Sequence, residues 1–313
     1  MNHSTQVFRG LIAYPITPLT LPEGLVNHDV LGRLVTGVAA AGVDGVTVLA
    51  SSGGGISFDR DERRQIVETA VAATAAASAE PISNTVAIPV YVAVTAPTTR
   101  DVIAFARDAA DLGASGLVIA PFSYAPLDDD EVIALVKELS DATPLPICFY
   151  NKPRETQYDL PPTVLTLLLA ETNLMALKEP APRPGRPVSR LVNLRSAGGT
   201  ELSLGLSGDT QLLTDLPAVD AWHTGLAALK PAQYARVWRS SQTEASASNS
   251  ADLADDRTLL LALATALHSS SRSLGALHAL ASLCGFETDA PRGPQLPAHP
   301  SDLPALHHAL ESA

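Results

Sequence analysis

Short apolar, β-branched runs alternate with longer Ala- and Leu-rich stretches through residues 9–225. Two of the short runs, residues 46–50 and 117–120, show no alternation of polar and apolar positions. Such strands are typical of a parallel sheet that is covered on both faces. The alternation of short and long elements therefore predicts repeated βα units.

The pattern predicts eight strands, at residues 10–16, 45–50, 90–95, 116–120, 147–151, 174–178, 202–206 and 218–224. Helices are expected near residues 28–41, 59–79, 99–113, 128–141 and 160–170. Thr98-Thr99 and the acidic run 128–131 suit helix starts, because they satisfy free backbone amides and complement the helix dipole. Eight strands joined by right-handed crossovers favour a closed (β/α)8 TIM barrel over an open doubly wound sheet.

Only helical patterns follow Lys230-Pro231, which predicts a C-terminal helical extension of the barrel. We place the barrel domain, which would carry the active site, at residues 1–225 and the helical domain at residues 226–313. The Ser- and Ala-rich residues 240–256 are expected to form a mobile loop. Apolar helices are expected at residues 259–269 and 274–283, with a short final helix at residues 304–311. Their apolar faces must pack on each other, on the barrel or on another subunit.

The composition is too apolar for a disordered chain, since 46% of the 313 residues are hydrophobic and 17% are charged. The net charge of −12 excludes the broad basic surface that nucleic-acid binding needs. No apolar run approaches the ~20 residues of a membrane span, and the first residues lack a leader pattern. Cys148 and Cys284 fit no disulfide framework or zinc motif. We expect a soluble, cytoplasmic protein that binds a small molecule, and neither nucleic acid nor membranes.

Catalytic groups of a TIM barrel lie at the carboxyl ends of its strands. The second predicted strand ends in Ser51, Ser52 and Gly53, followed by two more glycines. Hydroxyls and open backbone amides can bind a carboxylate or phosphate, although a flexible turn explains the same residues. The spacing matches neither the dinucleotide nor the P-loop glycine motif.

A phenol and an amine end the fifth and sixth strands. Tyr150 can relay protons if other hydroxyls bind it, or it can be an amphipathic residue at the rim. Of the neighbours Lys178 and Glu179, one must point into the barrel. If Lys178 points inward, burial lowers its pKa and leaves a neutral amine that can attack a ketone. The alternative is an ordinary lysine that reaches solvent.

The seventh strand ends in Ser207-Gly208-Asp209, which also suits a capped turn. Of the eight histidines, only His223 lies on a predicted strand. No second ligand accompanies it at metal-binding spacing, so we predict no metal site and expect His223 to be an internal rim residue.

Taken in this order, the motifs resemble the dihydrodipicolinate synthase / N-acetylneuraminate lyase family of Schiff-base-forming aldolases. The resemblance runs from Ile16-Thr17-Pro18-Leu19 to Arg292. The family motifs G-T-T-G-E, P-Y-Y, Y-N-x-P, I-K-E and S-G-D correspond to Ser51-Ser52-Gly53, Pro121-Phe122-Ser123, Tyr150-Asn151-Lys152-Pro153, Leu177-Lys178-Glu179 and Ser207-Gly208-Asp209.

The resemblance implies a TIM barrel with a helical C-terminal part that assembles as a homo-oligomer, a dimer or tetramer. It implies that Lys178 forms an imine with pyruvate or a related 2-oxo acid, so that no dissociable cofactor is needed. Tyr150 would move protons, and Ser52 would link it to solvent or substrate. The substrate-binding set would comprise Ser51, Ser52, Gly53, Arg154 and Ser207.

Three positions depart from the family pattern. Gly54 replaces the loop glutamate, and Ser123 replaces a tyrosine that crosses into a neighbouring subunit in many members. Glu155 stands where dihydrodipicolinate synthase has the arginine for its second substrate. Arg154 lies one position earlier, and such a slip can redirect a guanidinium. We expect a conserved Schiff-base half-reaction with a different second substrate.

The leading hypothesis is therefore a class I lyase or aldolase acting on a 2-oxo acid with an unknown second substrate. Dihydrodipicolinate synthase activity itself and a dehydratase that uses the same imine are the alternatives within the family. A non-catalytic ligand-binding barrel, in which Lys178 pairs with a carboxylate, is the alternative outside catalysis. A metal-dependent enzyme would need inward-facing ligands that the pattern does not supply.

Overall fold

The computed structural model describes residues 7–20, 22–79, 87–242 and 251–311. Within them, eight parallel strands form one closed barrel in chain order, which confirms the predicted TIM barrel. The strands are β1 Gly10–Ala13, β2 Gly45–Val48, β3 Val90–Ala93, β4 Gly116–Ile119, β5 Ile147–Tyr150, β6 Leu174–Pro180, β7 Ser203–Ser207 and β8 Ala221–Thr224. Pairing of β1 with β8, with Gly10 opposite Ala221, closes the ring.

The described residues form twelve α-helices. They are α1 His28–Ala40, α2 Arg60–Ala79, α3 Thr99–Asp111, α4 Asp129–Ala142, α5 Pro153–Thr156, α6 Pro162–Glu171, α7 Val188–Gly198, α8 Asp209–Leu212, α9 Pro231–Gln242, α10 Ala251–Ser269, α11 Ser273–Leu283 and α12 Leu303–Glu311. Each predicted helix is present. The sequence pattern did not indicate α7, because a proline-rich stretch precedes it, nor the one-turn helices α5 and α8.

The prediction of a loop over residues 240–256 is wrong at both ends. Helix α9 continues to Gln242, and α10 begins at Ala251. Residues 243–250 lie outside the described residues. Low-complexity composition does not prevent helix formation where an apolar face is available for packing, as α10 buries Leu259, Leu260 and Leu263.

Alternation along the strands divides the buried residues into two layers. On β6, Leu177 packs with the residues between barrel and helices, whereas Ala176 packs with those inside the barrel. Successive side chains of a strand point to opposite faces, so Lys178 follows Ala176 into the interior and Glu179 follows Leu177 outward. The alternation thereby decides which neighbour can take part in chemistry inside the barrel.

The C-terminal helices pack against the carboxyl end of the barrel. Helix α10 contacts α8, α9, α11 and α12, while α9 also contacts β1 and α1. Arg292 fastens the tail to the barrel through an ion pair with Glu62 and hydrogen bonds to the Gly24 carbonyl. The division into domains at residue 225 stays a prediction. No helix in the described ranges is long and apolar enough to cross a membrane.

Replacing Leu177 tests the layer outside the barrel. We expect Leu177→Ala to lower the free energy of unfolding by about 2–5 kcal/mol, because it leaves a cavity in a fully buried layer. Met175→Ala on the same strand is the control, since Met175 is 39% exposed and should lose less than about 1 kcal/mol. Urea unfolding measures both, and equal losses would contradict the assignment of Leu177 to the core.

Candidate active site

Lys178 lies near the end of β6 with its side chain inside the barrel, where the residue is 5% exposed. Its amine nitrogen Nζ lies 3.5 Å from the ring centre of Tyr14 and 3.9 Å from that of Tyr150. Burial lowers the pKa of Lys178 from 10.5 to about 7, because the ammonium loses its hydration. A large fraction of this amine is therefore neutral at neutral pH and can act as a nucleophile.

Tyr150 is the last residue of β5 and lies directly opposite Lys178 in the strand register. Burial raises the pKa of its phenol, and the charge of Glu155 adds to this effect. The polar side chain of Ser51 acts in the opposite direction and lowers the pKa of the phenol. The arrangement places a protonated phenol, adjoining a second hydroxyl, beside the neutral amine.

The three loop residues after β2 have different surroundings. Ser51 Oγ accepts a hydrogen bond from Lys152 Nζ at 3.1 Å. Ser52 Oγ instead donates to the backbone carbonyl of Tyr14 at 2.8 Å. A Cβ on Gly53 would lie 3.2 Å from backbone atoms of the chain around it, so the loop packs tightly there. Ser51 is thus the loop serine that acts on the pKa of the Tyr150 phenol, and the link expected for Ser52 stays a prediction.

A buried arginine holds this loop in place. Arg63 Nη1 donates to the Gly55 carbonyl at 2.6 Å, and Nη2 donates to the carbonyl of Ala93 on β3. The guanidinium carbon lies 4.1 Å from the ring centre of Phe105. Burial lowers the pKa of Arg63 to about 10, which still leaves it charged at neutral pH. Nothing in the sequence distinguishes Arg63 from the neighbouring arginines of α2.

A buried carboxylate connects the ends of β5 and β6 on the outer side. Glu179 is fully buried and accepts hydrogen bonds from Asn151 Nδ2 at 2.8 Å, Arg186 Nε at 2.6 Å and Arg190 Nε at 2.7 Å. Asp159 shares the same three donor side chains. Because Asn151 follows Tyr150 and Glu179 follows Lys178, this network fixes the backbone next to both groups.

A pocket of about 650 Å³ opens between the barrel and the C-terminal helices. Its lining includes Ser51, Ser52, Gly208, Leu226, Leu274 and Leu277. Ser51 is both a lining residue and the neighbour of the Tyr150 phenol. The pocket therefore leads from the surface towards the phenol and the amine, neither of which is part of its lining.

The two remaining predicted binding residues lie farther out. Arg154 lines the pocket, but its side chain is 86% exposed and lies 3.5 Å from the carboxylate of Glu155. Ser207 ends β7 opposite Pro180 and is not part of the pocket lining. Arg183, in the loop after β6, adds a second guanidinium to the pocket wall, and the sequence pattern did not single it out.

Three further groups were not recognised as part of the site. The Tyr14 hydroxyl and His223 Nδ1 form a hydrogen bond of 2.9 Å inside the barrel. Asp209 is half-buried and accepts hydrogen bonds from Trp222 Nε1 at 2.9 Å and Thr224 Oγ1 at 2.7 Å. The sequence could have indicated Tyr14 as a site residue, because it directly follows β1 at the catalytic end of the barrel.

The remaining candidate groups are the two cysteine thiols and the possible metal ligands. Cys148 is a free thiol inside the barrel, and burial raises its pKa to about 12. Cys284 is also free. In the part of the chain that the structure describes, no group of three or more His, Cys, Asp or Glu side chains could hold a metal ion.

Comparison with known proteins identifies clear relatives. The profile of the Dihydrodipicolinate synthetase family matches residues 7–313. The 4-hydroxy-tetrahydrodipicolinate synthase of Synechococcus sp. (strain WH7803) is 26% identical over 305 residues, covering 97% of this chain and 94% of the relative. The crystal structure of dihydrodipicolinate synthase from Agrobacterium tumefaciens str. C58 superposes with a TM-score of 0.84 at 27% identity, covering 97% and 98% of the two chains. Ruminococcus gnavus sialic acid aldolase shares the fold, with a TM-score of 0.80 at 20% identity over 97% and 96% of the chains.

The Glu179 network yields a stability prediction. We expect Glu179→Gln to lower the free energy of unfolding by about 3 kcal/mol, because it removes the negative charge between two largely buried arginines. Glu171→Gln is the matched control, since it breaks a half-exposed pair with Lys137 and should lose at most about 1 kcal/mol. Urea unfolding separates the two, and an equal small loss would show that Asp159 alone neutralises both arginines.

Proposed function

The chain belongs to the Dihydrodipicolinate synthetase family and is a metal-independent lyase or aldolase, and from this premise we propose that Lys178 forms a Schiff base with pyruvate or a related 2-oxo acid. The observation that supports this most strongly is the Lys178 amine itself. It is buried, its pKa is lowered to about 7, and it lies next to a protonated phenol. Imine formation requires a neutral amine nucleophile and a nearby proton donor.

The first step forms a carbinolamine. The lone pair of Lys178 Nζ attacks the ketone carbon, a C–N bond forms, and the electron pair of the C=O π bond moves to oxygen. Tyr150 gives its proton to this oxygen and recovers one from the nitrogen. Ser51 is the hydroxyl placed to assist this exchange.

The second step expels water. Tyr150 protonates the carbinol oxygen, the C–O bond breaks, and the nitrogen lone pair forms the C=N bond of a cationic imine. This cation is an electron sink, so a proton or a carbon fragment can leave the neighbouring carbon while its electron pair stays behind as an enamine. Addition of the enamine to an aldehyde is the reverse of that cleavage. In this proposal the covalent imine replaces any dissociable cofactor.

The substrate carboxylate is assigned to the loop after β2. Ser51 lines the pocket beside Tyr150, and the backbone amides of Ser52 and Gly53 follow it in the same turn. Amides and hydroxyls grouped in a tight turn are a common binding site for an anion. The second substrate would enter through the 650 Å³ pocket.

Dihydrodipicolinate synthase activity itself is less well supported than a different second substrate. Glu155 pairs with Lys152 and with Arg154, at 3.5 Å in each case. Because Arg154 lines the pocket, this pairing partly neutralises a guanidinium that could otherwise bind the carboxylate of a second substrate. Assembly as a dimer or tetramer and a cytoplasmic location stay predictions.

Reductive trapping tests the proposal. Incubation with pyruvate and borohydride should give a covalent mass increase on Lys178, because borohydride reduces an imine to a stable secondary amine. Lys178→Ala should abolish the increase. Lys137→Ala is the control, since Lys137 lies on α4 outside the barrel and pairs with Glu171. An undiminished adduct in Lys178→Ala would refute the assignment of the nucleophile.

The lowered pKa of Lys178 also predicts a pH profile. At limiting pyruvate, the initial rate of adduct formation should rise about fivefold between about pH 6 and about pH 7, and less than about twofold from there to about pH 8. The reason is that an amine with a pKa of about 7 is largely neutral above that pH. Quenched reactions analysed by mass spectrometry give these rates. A tenfold rise per pH unit continuing above about pH 8 would indicate an ordinary lysine instead.

A further inference from the structure

We propose that Tyr14 is a second catalytic aromatic residue, whose ring and that of Tyr150 enclose the Lys178 nitrogen in an aromatic cage that stabilises the positive charge of the imine. We further assign His223 as a positioning residue that holds the Tyr14 ring in place. The inference rests on the proposed Schiff-base function. It concerns a tyrosine that directly follows β1 and a histidine on β8, neither of which the family motifs include.

The cage is defined by two distances. Lys178 Nζ lies 3.5 Å from the ring centre of Tyr14 and 3.9 Å from that of Tyr150. Both are well inside the ≈ 6 Å range of cation–π attraction. The attraction grows when the cation is desolvated, and Lys178 and Tyr14 are both almost fully buried.

The imine needs such stabilisation more than the free amine does. Before reaction a large fraction of the amine is neutral at neutral pH, and burial of that neutral form costs little. Imine formation places a full positive charge on the same buried nitrogen. Asp209 is the carboxylate whose charge acts on Lys178, but its oxygens already accept hydrogen bonds from Trp222 and Thr224. The two aromatic faces lie against the nitrogen itself.

His223 fixes the orientation of Tyr14. The Tyr14 hydroxyl and His223 Nδ1 are 2.9 Å apart, and the two rings meet edge to face at an interplanar angle of 70°. Burial and the charge of Lys178 hold the pKa of His223 well below its usual range, so the imidazole is neutral. A neutral imidazole can share this hydrogen bond without adding a second positive charge to the cage.

Gly205 makes room for the imidazole. This residue lies opposite Lys178 in the register of β6 and β7. A Cβ at this position would lie 2.2 Å from His223 Nε2, so the imidazole or the backbone would have to move to accommodate it. Neighbouring strands and the residue that follows β1 therefore contribute to one packed unit, which consists of Lys178, Gly205, His223 and Tyr14.

Two variants of Tyr14 separate the ring from the hydroxyl. Tyr14→Leu keeps an apolar side chain but removes the aromatic face, so the affinity of the trapped pyruvate imine should fall roughly two- to thirtyfold. Tyr14→Phe keeps the ring and should retain most of the affinity. The fraction of protein trapped by borohydride at graded pyruvate concentrations measures this. Equal affinities of wild type and Tyr14→Leu would overturn the cage.

A second measurement needs no 2-oxo acid. Cyanate carbamylates neutral amines, so the pH midpoint of Lys178 carbamylation reports its pKa independently of how easily the reagent enters. Tyr14→Leu should lower this midpoint by about half a unit or more, because burial persists while the cation loses an aromatic face. An unchanged or raised midpoint would overturn the cage. Failure of wild type to form any pyruvate adduct, with the midpoint shifted as expected, would instead refute the Schiff-base function alone.

The role of His223 is tested through Tyr14. If His223 acts by holding the Tyr14 ring in place, His223→Leu should lower the imine affinity of the wild type but have much less effect in a Tyr14→Leu background, so the two losses should not add. Gly205→Ala, which crowds the imidazole, should lower the affinity in the same direction. Additive losses would mean that His223 stabilises the barrel without positioning Tyr14.

Discussion

The burial of one amine inside a closed barrel is the constraint on which the surrounding structure depends. A charged ammonium is expensive to desolvate, so the barrel interior shifts Lys178 towards its neutral form and lowers its pKa to about 7. The same environment would disfavour the cationic imine that the neutral amine is able to form. Exclusion of water from this site therefore favours the neutral, nucleophilic amine. The same exclusion means that protein groups, rather than water, must stabilise a positive charge on this nitrogen.

Two networks outside the barrel hold the reacting groups in position. Glu179 binds Asn151 and two arginines, and thereby ties together the strand ends that carry Lys178 and Tyr150. Arg63 binds the loop that carries Ser51 to the neighbouring strand β3. Both networks bury charges that would be unfavourable if either partner were lost. Rigid strand ends keep the Lys178 amine 3.9 Å from the ring centre of Tyr150.

The chemistry of the site divides between groups that change protonation and groups that only present a surface. Proton exchange is the role proposed for Tyr150 and Ser51, while the faces of Tyr14 and Tyr150 lie against the nitrogen. The pocket beyond them has walls from the C-terminal helices α10 and α11. The residues that line the pocket are therefore separate from those that surround the Lys178 nitrogen.

Short apolar runs separated by helical stretches were enough to predict the eight strands. Because a strand has only two faces, the sequence also limited the inward residue on β6 to Lys178 or Glu179. Local pattern carried no comparable information about the loop after β2, where Ser51 accepts a hydrogen bond from Lys152 and Ser52 donates one to the Tyr14 carbonyl. It also could not pair Tyr14 with His223, which are 209 positions apart and meet only when β1 closes the ring against β8. Periodicity describes the neighbours of a residue along the chain, whereas these contacts depend on barrel closure and loop geometry.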